Sequence, residues 1–249
     1  MTESLLRLQE ILYTSKNPTR RYLHCARRDW ISRSIQAAGQ LKTALEVGPG
    51  AGVYLPILKK QAEQVTASDI EPRYLDYVKE KWSHLAGLVY VIDDISHSSQ
   101  AAHSFKLILC TEVIEHIADS QAALHSLKKL LADQGRLILS TPQRYSPLEL
   151  TAKIAFLPGI IQIVRKIYDE EIIEAGHINL LTEKQLKQQL KNAGFLIETQ
   201  YKCGLYIPFL AEFTGNFGLK LERYLEDKIR GTRFDFLLWT QCYVLRAKK

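Results

Sequence analysis

Residues 43–52 read TALEVGPGAG: an apolar run, Thr43–Val47, then three glycines at alternate positions, Gly48, Gly50 and Gly52. Residues 53–61 follow with a helical pattern. A glycine loop between a strand and a helix lets a ligand approach the backbone closely at the carboxyl end of a sheet. The dinucleotide fingerprint needs a further glycine at position 53, and Val53 stands there.

The same texture extends outward from this loop. Short apolar runs occur at 64–68 (QVTAS), 88–92 (LVYVI), 105–110 (FKLILC) and 136–140 (RLILS). Continuous apolar strands are expected in a parallel sheet covered on both faces. Residues 53–61, 72–82 and 120–131 lie between the runs and read as crossover helices. The alternation predicts an α/β fold with a doubly wound, mostly parallel sheet. Thr182-Glu-Lys-Gln185 is a capping box opening a helix that stops near Gly194. Residues 195–201 and 236–246 read as strands, with a helix over 221–229 between them. On the other side of the loop, residues 1–40 read as helices. Leu5, Leu8, Ile11 and Leu12 recur at helical spacing, Asn17-Pro18 breaks the pattern, and a second helix runs over 20–38 to Gly39. The expected plan is one domain: a helical extension (1–40), a core (41–144), a cap insertion (145–180) and a C-terminal helix with strands (181–249).

Composition agrees with a globular chain. Of 249 residues, 46% are hydrophobic and 24% charged, which excludes disorder, collagen and coiled coil as the main architecture. Lys and Arg number 33 against 27 Asp and Glu, a net +6. That excess favours an anionic partner without specifying nucleic acid or membrane. The four cysteines form no CxxC pair, so a reducing, cytoplasmic setting is expected. The first residues lack the pattern of a secretory signal, and no apolar run reaches the roughly 18 residues of a spanning helix.

Acids stand at successive strand ends: Glu46 before the glycine loop, Asp69 21 residues after Gly48, and Asp93-Asp94 after the third strand. A carboxylate at Asp69 can accept hydrogen bonds from both hydroxyls of a ribose. The pyrophosphate of a dinucleotide would be repelled by Glu46. S-adenosylmethionine, with an ammonium, a sulfonium and one carboxylate, is net cationic and suits three acids.

Over residues 41–200 these motifs resemble the Rossmann-like (class I) S-adenosylmethionine-dependent methyltransferases. Glu46-Val-Gly-Pro-Gly-Ala-Gly52 resembles the family's first motif, with Glu46, Gly48, Gly50 and Gly52 as cofactor-binding residues. Asp69, followed by Ile70, matches the ribose-binding acid. Asp94-Ile95 matches the pair flanking the adenine, with Asp93 as the alternative acid, and Thr111 ends the fourth strand at the pocket. The resemblance implies a seven-stranded sheet whose last strand is antiparallel. The rival readings are a nicotinamide oxidoreductase, which Val53 and Glu46 disfavour, a nucleic-acid methyltransferase, and a cofactor-binding protein without turnover. The second lacks an Asn/Asp-Pro-Pro-aromatic motif after the fourth strand.

That strand leads into Thr111-Glu112-Val113-Ile114-Glu115-His116. On a helical turn, Glu112, Glu115 and His116 share one face. The segment resembles that of ubiquinone-pathway O-methyltransferases and small-RNA 3′-end methyltransferases. There an ExxEH motif with a later histidine implies a divalent metal orienting a hydroxyl. Carried over, the ligands are Glu112, Glu115, His116 and His177. A metal-free alternative has His116 as the base that takes the acceptor's proton, and His177 as the second candidate; a structural role for the cluster is the third.

Residues 145–178 exceed the usual crossover length and predict a cap over the substrate. Within it, AKIAFLPGIIQIVRKIY (152–168) is apolar and flanked by Lys153, Arg165 and Lys166, and residues 204–213 are a second apolar stretch. Two readings stand: the packed core of a lid, or contact with a lipid-like acceptor or a membrane face. The expected activity is in-line methyl transfer to O, N or C of a small or lipid-like acceptor.

Overall fold

The computed structural model describes residues 6, 9–168 and 176–248. Seven strands form one sheet: β1 (Leu41–Val47), β2 (Ala62–Asp69), β3 (Leu88–Ile92), β4 (Phe105–Thr111), β5 (Leu131–Pro142), β6 (Phe195–Leu205) and β7 (Leu238–Ala247). Their order is β3-β2-β1-β4-β5-β7-β6. β1 through β5 pair in parallel, while β7 runs antiparallel to both neighbours, β5 and β6. The strand order reverses between β1 and β4, so the loops after these two strands open a crevice at the carboxyl ends.

Helices cover both faces, which is why the strands read as unbroken apolar runs. Alternate residues point to opposite faces. Leu45, Val47, Ile108 and Cys110 pack beneath α4 (Ser120–Leu130) and α7 (Glu183–Asn192), against Leu124, Leu127, Leu186 and Leu190. Ala44, Val65, Ala67, Leu107 and Leu109 pack on the other face against α1 (Pro18–Ala37), α2 (Leu55–Gln61) and α3 (Pro72–Lys81). The Asn17 side chain caps α1, accepting from the Arg20 N–H at 2.9 Å, and Pro18 sits in the first turn where no N–H is needed. The Thr182–Gln185 capping box is formed.

The cap begins with α5 (Pro147–Ala155) and α6 (Ile160–Tyr168), which meet at a bend of 118°. No single helix among the described residues is long and apolar enough to cross a membrane. Two short pieces complete the chain: α8 (Leu210–Phe213) and α9 (Gly215–Ile229).

The element boundaries differ from expectation at four places. β5 starts at Leu131 rather than Arg136, because Gln134 in a left-handed conformation (φ +58°) kinks the strand while it stays paired with β4. β6 continues to Leu205, whose N–H, with that of Gly204, donates to buried Glu226 on α9. The last helix begins at Gly215, six residues earlier than the apolar spacing indicated. Phe236 and Leu237 form a 3-10 turn ahead of β7. Of the predicted first helix, residues 9–12 are helical, whereas Leu5 and Leu8 lie outside the described residues.

Candidate active site

A cavity of about 780 Å³ opens at the carboxyl ends of β1 to β4. Its floor is the turn after β1. Gly48 has φ +64° there, and a Cβ on it would stand 2.5 Å from Val113 Cγ2, so only glycine fits this bend. Gly48, Pro49, Gly50 and Ala51 line the cavity. Gly52 is not among the lining residues: it is buried, and a Cβ there would meet Trp82 Nε1 at 2.7 Å and Val78 Cγ1 at 2.9 Å, so it lets the loop pack closely on α3.

The acids differ in their state. Glu46 is 2% exposed, and its Oε2 has no hydrogen-bond partner among the described residues. Burial pushes its pKa up to about 8. Asp69 accepts from the Glu71 N–H at 2.9 Å, and burial pushes its pKa up to about 6. Asp93 is turned into its own loop, accepting from Ser98 Oγ (2.6 Å), Ser99 N (3.0 Å) and Gln100 Nε2 (3.1 Å). Burial raises its pKa, but these donors outweigh burial and the net shift is downward. Asp94 is exposed and gives one oxygen to the Ser96 N–H, capping the 3-10 turn at Ile95–His97. Asp94 is therefore the acid of this pair with an oxygen to spare. Ile70 (68% exposed), buried Ile95 and Thr111 complete this end of the cavity.

The cavity is also lined by His24, Arg27, Glu112, Glu115, His116, His177 and Trp239. The EVIEH segment is not an α-turn. Glu112 adopts φ +56° and only Ile114–His116 form a 3-10 turn, so the three side chains do not share one helical face. Glu112 instead accepts from Arg27 Nη1 at 2.5 Å and from Ser140 Oγ at 2.9 Å. Glu115 is fully buried, accepts from Thr141 Oγ1 at 3.0 Å, and leaves Oε1 without a partner. Burial, then the Glu112 charge, pushes its pKa well up.

His116 and His177 face each other with ring centroids 5.2 Å apart. Burial and the neighbouring His177 push the His116 pKa down. Burial acts the same way on His177, but Glu149 Oε2, 3.1 Å from its Nδ1, outweighs it and the pKa is raised. Glu149 is itself fixed by Trp239 Nε1, which donates at 2.8 Å.

The donor set therefore departs from the four metal ligands that the resemblance implied. Donor atoms of Glu115, His116 and His177 lie within 4.8 Å of one another. Glu112 is excluded from that group because its carboxylate is bound to a guanidinium. A four-ligand divalent site does not fit these side chains. S-adenosylmethionine does fit, because the glycine turn lines the cavity with backbone and Glu46 brings a buried carboxyl with an unpartnered oxygen that an ammonium can ionise and pair with.

Four features of this cavity have weak sequence signals or none. Gln9 and Tyr13 reach over the glycine turn, and Gln9 Oε1 accepts the Ala51 N–H at 2.8 Å. Arg27 interrupts the apolar face of α1 between Leu23 and Trp30, a detectable anomaly. Glu149 lies in an unremarkable helix start, and Trp239 in an apolar strand.

A sequence model for methyltransferase domains matches residues 19–200. The chain belongs to the methyltransferase-domain family. This methyltransferase is 26% identical over 183 residues to the ubiquinone biosynthesis O-methyltransferase of Xanthomonas axonopodis pv. citri (strain 306), covering 71% of each chain. It is 30% identical over 126 residues to the enzyme of the same name from Xylella fastidiosa (strain M23), 49% of this chain and 50% of that one. Its fold is similar to that of N-methyltransferase NodS from Bradyrhizobium japonicum WM9 bound to S-adenosyl-L-homocysteine. The TM-score is 0.63 at 17% identity, over 100% of this chain and 97% of that one. The [4+2]-cyclase SpnF gives a TM-score of 0.57 at 12% identity, over 88% and 80%. The methyltransferase therefore uses S-adenosylmethionine, and the nicotinamide reading falls with the family assignment.

Proposed function

We propose that this protein methylates a hydroxyl oxygen of a small or lipid-like acceptor. The observation that carries the reading is His116, which lines the same cavity as the glycine turn and whose lowered pKa leaves the ring neutral at pH 7. Nitrogen or carbon acceptors do not require such a base in the same way; a hydroxyl does. The names of the relatives from Xanthomonas and Xylella support oxygen as the acceptor atom.

When bound, S-adenosylmethionine supplies a methyl group on a sulfonium that is already a good leaving group. The chain's residues do the rest. Glu46 pairs with the ammonium, and Asp69 accepts from the ribose hydroxyls. Asp94 faces the adenine amine beside Ile95. A neutral His116 ring nitrogen takes the acceptor's proton as the oxygen–methyl bond forms. His177, 3.1 Å from Glu149 Oε2 through Nδ1, is held with its ring beside that of His116. In-line placement supplies much of the acceleration, worth several kcal/mol in oriented systems (about 7–11 at the limit). No step requires a metal.

The exposed face of the predicted cap supports a lipid-like setting. Leu150, Ile154, Ile163 and Ile167 on α5 and α6, and Leu157 in the turn between them, are 42–61% exposed, and Lys153, Arg165 and Lys166 lie among them. Apolar side chains among basic ones suit an anionic bilayer surface, and this reading places the protein at the cytoplasmic face of a membrane as a peripheral enzyme. The test is a screen of a lipid and metabolite extract for products heavier by one methylene, with wild type and H116Q. The reading expects H116Q to lose about 10²–10⁴-fold in turnover with S-adenosylhomocysteine affinity intact. Unchanged turnover in H116Q would contradict it.

A further inference from the structure

The second carboxylate-rich corner of the cavity already holds a cation. Arg27 and Glu112 pair at 2.5 Å with side-chain exposures of 7% and 21%. Glu112 cannot swing away cheaply. Its backbone is in the left-handed region at φ +56°, its N–H donates to Ser140 O at 2.9 Å, and its Oε1 accepts from Ser140 Oγ at 2.9 Å. A strained backbone held by several bonds fixes the direction of its side chain. The guanidinium has two further neighbours, while its buried Nε has no hydrogen-bond partner among the described residues. Its carbon lies 5.2 Å from the centre of the Trp239 ring, and Nη2 is 3.4 Å from His24 Nδ1.

We infer that Arg27 is the resident cation at Glu112, a guanidinium that neutralises this carboxylate and takes it out of the Glu112–Glu115–His116–His177 ligand set that the resemblance implied. This inference rests on the reading of the cavity as a methyl-transfer site. Two physical arguments carry it. A divalent ion beside a buried guanidinium meets charge repulsion in a low-dielectric setting. Recruiting Glu112 to that ion would also leave Arg27 buried and unpaired, which is strongly unfavourable. The remaining donors, Glu115, His116 and His177, make three where the implied set has four.

Arg27 is then a positioning residue. It comes from α1, outside the cofactor half, and ties that helix to the turn after β4. It sets the direction of Glu112, which lines the cavity with Thr111, Glu115 and His116.

The experiment uses the full chain, stripped with a chelator, in wild type, R27M and R27K. Each is titrated with Mn²⁺ by calorimetry, and S-adenosylhomocysteine affinity serves as the check on folding. The expected result is that R27M, with Glu112 released, binds Mn²⁺ about tenfold or more tightly than wild type and R27K. Wild-type S-adenosylhomocysteine affinity stays within about twofold after chelation. Tight one-to-one Mn²⁺ binding by wild type, no weaker than by R27M, would overturn the inference. Should R27M fail to fold, wild type and R27K decide: weak Mn²⁺ binding by both with chelator-insensitive turnover supports Arg27 as the cation, and tight binding by wild type refutes it. Loss of S-adenosylhomocysteine binding in wild type would strike the methyl-transfer reading instead, a different outcome from any Mn²⁺ result.

Discussion

Glu46 shows how one side chain links cofactor, pH and stability. Its carboxyl is buried with an unpartnered oxygen, and its pKa is raised to about 8 from an ordinary 4.5. Without ligand at pH 7 it is protonated. An arriving ammonium favours the carboxylate, so binding expels a proton. Cofactor affinity should therefore rise with pH between 6 and 8 and level off above 8, and E46Q should remove that slope and weaken binding; titrations across pH 6–9 check both. Linkage gives the companion effect. A raised carboxyl pKa contributes stability that is whole below about 4.5 and lost as pH rises through about 8. The ligand-free melting temperature of wild type should fall from pH 6 to pH 9 more than that of E46Q.

At the scale of elements, the strand–turn–helix after β1 lines the site, and α5 and α6 carry an exposed apolar face outside its lining. G48V places side-chain atoms into Val113 and on a left-handed backbone. It should lower S-adenosylhomocysteine affinity about tenfold or more, measured by calorimetry, since a strained residue and an overpacked contact each cost of order 1–3 kcal/mol. On α5 and α6, Ile154 and Ile163 are 58% and 61% exposed. The double substitution I154E/I163E should abolish co-sedimentation with anionic vesicles and leave cofactor affinity unchanged. Vesicle binding equal to wild type would remove the membrane reading. The strands were legible because both sheet faces are buried, which forces continuous apolar runs. Boundaries were less legible where local rules lost to tertiary ones, as at Gln134, where pairing with β4 carries β5 through a kink. The capping box at Thr182 was legible because its bonds are local.

Across the whole molecule, one cavity gathers two groups of side chains: the acids Glu46, Asp69 and Asp94, and the basic His24, Arg27, His116 and His177. The first group could be read from sequence because each acid follows its strand at fixed spacing. The second group could be read only in part, since Arg27 and Glu149 reach the site across 85 and 28 residues from the groups they bind. The EVIEH segment misled a helical reading because the left-handed Glu112 redirects its carboxylate to Arg27. The most direct measurement of the central claim is calorimetric titration of the full chain with S-adenosyl-L-homocysteine at pH 7 in buffers of different ionisation enthalpy. The account predicts one-to-one binding with a heat that varies between buffers, reporting the proton released from Glu46. No heat at any pH in any buffer would contradict the account.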